Sequence, residues 1–324
     1  MDSVLSGLRA AAEPTRLRLL WLLAQGDLTV SELTHILGQS QPRVSRHLKL
    51  MCEAGLLDRF PEGAWVFYRV AARGPGARLA RSLLALLPSD DPTLALDQQR
   101  LDSVRAARAV QAQDYFTANA ERWDEIRGLH VDDEEVERAL AALFAARRVR
   151  DLVDMGTGTG RILEVLAPHV ECGIGVDLSR EMLAVARANL ERAGLRHCMV
   201  RQGDITQLPL PAGSADAVTI HQVLHYAPDP AAVVAEAARV LQPGGLLVVV
   251  DFAPHQLEVL RDEHAHRRLG FTDAEVSGWL KEAGLNPGPV TRLPGDQLTV
   301  VLWTATRAVP ALSSQSPSVT GAQA

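Results

Sequence analysis

Two stretches of the 324-residue chain hold residue types that could do chemistry. The denser one is Asp154-Met155-Gly156-Thr157-Gly158-Thr159-Gly160-Arg161, directly after the apolar run Leu152–Met155. Glycines at alternate positions let a backbone turn tightly from strand into helix and approach a ligand closely. Such a loop alone could serve a dinucleotide, but the spacing here is G-x-G-x-G rather than G-x-G-x-x-G. Asp177 ends the next apolar run, in Gly175-Val176-Asp177-Leu178-Ser179, where it can accept from ribose hydroxyls. Asp204 follows a third run in Gly203-Asp204-Ile205, placed for an exocyclic adenine amine. Gly160 has a plainer use in helix–strand packing, and Asp154 in accepting backbone amides.

The second stretch is His221-Gln222-Val223-Leu224-His225-Tyr226, at the carboxyl end of a fourth apolar run. Ligands of open α/β sheets sit at that edge. His221, His225 and Tyr226 are therefore the catalytic candidates, with a packing role equally open to His225 and Tyr226. A general base is needed only if the attacking atom keeps its proton. His264 and His266 could line the same mouth or bind metal, but i, i+2 spacing puts them on different faces of a helix.

The elements that must position these groups are strands alternating with helices after Arg150, the signature of a parallel sheet. Strands are expected at Leu152–Met155, Gly173–Asp177, Cys198–Gln202, Ala215–His221 and Leu246–Phe252, with two more at Val290–Pro294 and Leu298–Thr304. The first ninety residues read differently, as short helices followed by a hairpin around Pro61-Glu62-Gly63. In the third helix Val44, Leu48 and Met51 share one face, leaving Gln41, Arg43, Ser45, Arg46, His47 and Lys49 outside it. Arg and Gln donate well to base edges, and Ser, His and Lys suit phosphates. The hairpin would be a wing that sets Arg59 and Arg69 on the adjacent DNA backbone.

These residues carry two resemblances. EPTRLRLLWLLAQGDLTVSELTHILGQSQPRVSRHLKLMCEAGLLDRFPEGAWVFYRV resembles the winged helix-turn-helix domain of ArsR-type bacterial repressors. That implies a homodimer paired through its first and last helices, roughly Val4–Ala12 and Ala77–Leu87, on a double-stranded DNA operator. Metal sensing is not expected: the positions of a common cysteine pair are Thr29-Val30-Ser31, and Ala77–Leu87 has neither Asp nor His. LVDMGTGTGRILEVLA, GVDLSREMLAVARANL, GDITQLPLPAGSADAV and ARVLQPGGLLVVVDF resemble class I S-adenosylmethionine-dependent methyltransferases of the small-molecule kind. That resemblance implies S-adenosylmethionine or S-adenosylhomocysteine as ligand. It would place Gly156 and Gly158 by the methionine moiety and Asp154 near its amino group. Asp177 would lie by the ribose, Asp204 and Ile205 by the adenine, Leu178 would be a further cofactor contact, and Gln222 would face the cofactor. Tyr115, Phe116 and Trp123 resemble an aromatic segment that closes over it. Repressors with this fusion are known that respond to S-adenosylhomocysteine, so the rear domain reads as a sensor, or as an enzyme with a small-molecule methyl acceptor. Three cysteines do not form the arrangement of arsenite methyltransferases.

The expected organisation is an α+β winged helix-turn-helix domain (1–88), a linker and connecting helix (89–127), an α/β Rossmann-like methyltransferase domain (128–308) and a disordered tail (309–324). The net charge of −6 divides into +4 over residues 1–88 and −10 over the rest, which suits an anionic partner for the front only. No apolar run approaches the roughly 20 residues of a membrane span, and the start lacks a secretory pattern. The odd, scattered cysteines suit a reducing cytoplasm.

Overall fold

The computed structural model describes residues 1–62, 65–71, 74–88, 90–107, 110, 133–262 and 266–309. The front body begins with α1 (Asp2–Ala11) and α2 (Pro14–Leu23), followed by the short strand β1 (Leu28–Thr29). Then come α3 (Val30–Leu37), α4 (Gln41–Glu53), the hairpin β2 (Leu57–Glu62) and β3 (Trp65–Val70), and α5 (Gly74–Ala85). Local chemistry sets these boundaries. Thr29 and Glu32 form a reciprocal capping box at the start of α3, and Gly38 ends it in the left-handed region at φ 65°. Pro42 sits in the first turn of α4, where no backbone N–H is missed. Leu19, Leu33, Ile36, Val44, Leu48 and Met51 close the core.

Residues 92–107 form a further helix, α6, and it belongs to the front body rather than to a free linker. Arg18 of α2 donates twice, at 2.7 Å each, to Asp97, whose side chain is fully buried. Arg100 donates to the Ile36 carbonyl and Arg105 to the Gln25 carbonyl, while Leu101 enters the core. The aromatic segment with Tyr115, Phe116 and Trp123, His264, and the tail beyond Val309 lie outside the described residues.

The rear body opens with α7 (Asp133–Ala145) and builds a seven-stranded sheet. Its strands are β4 (Val149–Met155), β5 (Val170–Asp177), β6 (Cys198–Gln202), β7 (Ala215–His221), β8 (Leu241–Phe252), β9 (Leu285–Pro294) and β10 (Thr299–Arg307). The spatial order is β6-β5-β4-β7-β8-β10-β9, with β10 antiparallel to both neighbours and the first five strands parallel. The helices α8 (Arg161–Leu166), α9 (Arg180–Arg192), α10 (Pro230–Val240), α11 (Val259–Asp262) and α12 (Asp273–Glu282) connect them. Apolar cores lie on both faces of the sheet, one including Leu152, Val200 and Val248 and the other Val153, Val218 and Trp303. All seven expected strands are present. Several start earlier than their apolar runs: the β4–β5 ladder already pairs Val149 with Val170 and Asp151 with Cys172, around the exposed Arg150 and Glu171. Among the described residues, no helix is long and apolar enough to cross a membrane.

Candidate functional site

The carboxyl ends of β4, β5, β6 and β7 converge on the glycine loop. Gly156, Gly158 and Gly160 all have positive φ, at 73°, 52° and 80°, which a side chain would strain. Their surroundings separate their roles. A Cβ on Gly156 would stand 2.5 Å from Val223, and one on Gly160 would stand 3.1 Å from Ala186 of α9. A Cβ on Gly158 would meet nothing within 4 Å, so that glycine faces open space. Gly160 thus serves the turn and the packing on α9.

Asp177 braces the loop and keeps capacity for a ligand. Its Oδ2 accepts from the Gly158 N–H at 2.9 Å, and its Oδ1 from the Ser179 N–H at 2.9 Å. Each oxygen retains a lone pair, so ribose hydroxyls could still donate to it. Leu178 beside it is 69% exposed, an apolar surface that a flat ring would cover. Asp204 is exposed at the end of β6, where it accepts from the Thr206 N–H and Oγ1, which hold its carboxyl below the usual range. Ile205 is half-buried next to it.

Asp154 lies deeper. Only 1% of it is exposed and its Oδ1 accepts from Thr219 Oγ1 at 2.6 Å; its buried Oδ2 makes no hydrogen bond of good geometry, although the Thr157 hydroxyl lies close enough to favour the charged form. Burial, reinforced by the charge of Asp177, pushes its carboxyl up to about 6. A buried acceptor without a donor is costly unless a ligand supplies one. Gln222 adds a buried donor without an acceptor, its Nε2. Its backbone holds φ at 50°, the single positive φ among the described non-glycine residues, pinned by its N–H donating to the Val250 carbonyl at 2.7 Å. Strain of this kind clusters at ligand sites. The donor set therefore fits an aminoacyl nucleoside: an orphaned carboxylate for an ammonium, a carboxylate on the ribose side and exposed apolar side chains for a base.

The neighbouring mouth is different. His225 is 2% exposed, with Nδ1 2.8 Å from Oδ1 of the fully buried Asp251. Its ring stacks on His266 at 3.9 Å between centroids and leans on Tyr226 at 4.1 Å. Tyr226 is 40% exposed and His221 is half-buried, so these two line the opening while His225 lies under it. Sequence reasoning missed Asp251, Thr219 and Val223. A lone carboxylate inside the apolar run LLVVVDF was the signal for the first.

On the front body, α4 turns Val44, Leu48 and Met51 inward and exposes Gln41, Arg43, Arg46 and Lys49 along one side, with Ser45 half-buried. His47 is largely covered and lies 4.0 Å from Glu13; burial lowers its basicity. Arg59 is exposed on the hairpin. Arg69 corrects the sequence reading: it is 9% exposed and pairs with buried Asp27 at 3.0 Å, so it is not presented to a phosphate.

Comparisons with known proteins agree with both halves. Residues 13–59 match the bacterial regulatory proteins of the arsR family, and residues 153–249 match a methyltransferase domain. A demethylmenaquinone methyltransferase of Deinococcus radiodurans is 37% identical over 196 residues, covering 56% of this chain and 75% of the relative. An arsenite methyltransferase of Aquipseudomonas alcaligenes is 36% identical over 155 residues, 39% of this chain. The chain spans 45% of that relative's length, and 30% of an uncharacterized 37.1 kDa protein of a Streptomyces fradiae transposon that it matches at 43% identity over 107 residues, 32% of this chain.

Proposed function

The chain belongs to the class I S-adenosylmethionine-dependent methyltransferases and carries an ArsR-family helix-turn-helix ahead of that domain, and from this we propose that it is a DNA-binding regulator controlled by the nucleoside site. In this reading S-adenosylmethionine or S-adenosylhomocysteine is the effector. When bound, the former also supplies a sulfonium methyl group open to in-line displacement. Asp154 and Gln222 would hold the amino-acid end, Asp177 the ribose, and Leu178, Asp204 and Ile205 the adenine. Gly156 and Gly158 would let the backbone close on the ligand. The observation that carries the reading is at the nucleoside side of the rear site, where Asp154 Oδ2 and Gln222 Nε2 are buried without a hydrogen bond around the strained Gln222 backbone.

The front body would read a near-palindromic operator as a homodimer. Val4, Leu5 and Leu8 support this, since they are 40–43% exposed on one side of α1, an apolar stripe suited to a second copy. Gln41, Arg43, Ser45, Arg46 and Lys49 of α4 would enter the major groove. Neutralising Arg43 and Arg46 together should weaken operator binding and lower its salt slope by about 2. An unchanged slope in a fluorescence-anisotropy titration over salt would assign DNA reading to another surface.

The relatives named as methyltransferases favour a second reading, an active enzyme on a small-molecule acceptor entering by Tyr226 and His221. Arsenite is a poor candidate. Cys172 and Cys198 begin β5 and β6 or lie close to their starts, at the edge of the sheet away from the mouth. Calorimetric titration with S-adenosylhomocysteine and S-adenosylmethionine, repeated with promoter DNA, separates the two readings. Regulation requires that a ligand change operator affinity, and equal affinity with and without it leaves the enzyme reading.

A further inference from the structure

The wing has two faces, and both carry buried apolar side chains. Residues directly opposite in the hairpin share a face, and the register pairs Leu57 with Val70, Asp58 with Arg69, Arg59 with Tyr68 and Phe60 with Phe67. Leu57 and Tyr68 pack into the front core, as the inner face of a wing must. The outer face should then meet water, yet it carries Phe60 and Phe67, stacked at 5.9 Å and only 6% and 4% exposed.

What covers them is the rear body. The guanidinium of Arg187, on α9, lies 3.9 Å from the Phe67 ring centroid, and that of Arg201, on the edge strand β6, lies 5.1 Å from the Phe60 centroid. Cation–π contacts of this kind gain strength when desolvated, and Arg187 is 6% exposed. Both arginines stand on elements that lead into the nucleoside site. Arg201 is two residues before Gly203-Asp204-Ile205, which follow the end of β6, and α9 starts immediately after Asp177-Leu178-Ser179. The two ligand segments are themselves tied, through Gly203 N–H to the Asp177 carbonyl at 3.0 Å and Gln202 Nε2 to the Leu178 carbonyl at 3.0 Å. Beside the contact a cavity of about 100 Å³ persists, lined among others by Asp27, Arg69, Arg105, Arg187 and Glu191. The contact is therefore edged by an open cleft on one side.

We propose that the outer face of the wing, Phe60 and Phe67 against Arg187 and Arg201, is the surface through which the nucleoside site controls the DNA-binding body. Ligand closing on the loops after β5 and β6 shifts β6 and the start of α9, and the wing docks or undocks with them. The inference rests on the sensor reading, and its test distinguishes the two. Arg187→Met and Arg201→Met, singly and together, keep the aliphatic length but remove the cation; Phe60→Leu is a second, milder variant from the wing side. Operator affinity of the full chain is measured with and without S-adenosylhomocysteine, alongside calorimetric ligand affinity and hydrogen exchange of residues 57–70. The expected result is a ligand effect on DNA affinity of about tenfold or more in the parent chain, falling below about twofold in the double variant. Ligand affinity should stay within about threefold, and hydrogen exchange of the hairpin should become faster. A ligand effect that persists in all variants overturns the coupling surface but leaves the sensor reading standing. A parent chain whose DNA affinity ignores the ligand overturns the sensor reading itself. Unchanged exchange of the hairpin in the double variant overturns the docking.

Discussion

The two sides of the rear cleft are built on opposite principles. On the nucleoside side, the polar groups are under-committed: Asp154 Oδ2 and Gln222 Nε2 are buried without a hydrogen bond, and Gly158 faces empty space. On the mouth side the central buried pair, His225 with Asp251, is satisfied, while His255 Nε2 nearby is buried without a partner. Asp251 accepts from the His225 ring and from the Phe252 N–H, and His225 is stacked between aromatic neighbours. A protein holds unsatisfied buried atoms at a cost of roughly 1–3 kcal/mol each, so they mark where binding energy is to be collected. A satisfied buried pair marks where the fold itself is being held. The nucleoside side is thus equipped to collect binding energy, and the His225–Asp251 pair fixes the orientation of the imidazole beneath the mouth.

Ligand affinity measured by calorimetry can break or sharpen that contrast. Asp177→Ala removes the ribose acceptor and the brace on Gly158 together, and affinity for S-adenosylhomocysteine should fall about 100-fold, from two charge-assisted bonds of roughly 1.5–3 kcal/mol that are only partly additive. A loss below threefold would move the nucleoside elsewhere. Lowering the pH should act next. The carboxyl of Asp154 sits at about 6, above its ordinary value, so the free protein takes up a proton there as pH falls through 6. Its neutral form favours the folded state, and that stability gain grows between about pH 6 and 4. An ammonium-bearing ligand needs the charged form, so affinity should drop about tenfold per unit below pH 6. Asp154→Asn should flatten that profile; a slope surviving the substitution would assign the titration to another group. Leu178→Ser should cost about threefold to tenfold through lost apolar cover, and no change would leave the adenine off that surface. At the far end, His225→Gln should leave ligand affinity within about twofold while lowering the melting temperature, because Asp251 keeps at best a weaker donor. A tenfold loss of affinity with unchanged stability would reverse the contrast.

Some of this organisation was legible in one dimension. The strand, the alternating glycines and the acid at the end of the following strand are local patterns, and the structure brings Asp154, Gly158 and Asp177 together as that order implies. Capping at Thr29 and Glu32 and the inward face of α4 are equally local. What escaped depends on distance along the chain. Arg69 reads as a wing cation until Asp27, 42 positions earlier, is found beside it. Helix α6 reads as a spacer until Asp97 meets Arg18. His225 reads as a base until Asp251 is seen under it. The hairpin itself was legible, but that Phe60 and Phe67 are covered on its outer face depends on Arg187 and Arg201, more than a hundred positions later.

The clamp between Arg18 and Asp97 also bears on how such a chain could be taken apart. A gene cut after Pro88 would encode a repressor-like piece whose α2 arginine had lost its carboxylate and whose Ile36 and Gln25 carbonyls had lost their donors. A front piece that keeps these contacts therefore runs through residue 107, so a cut that spares them falls beyond α6 rather than at the proline-rich stretch.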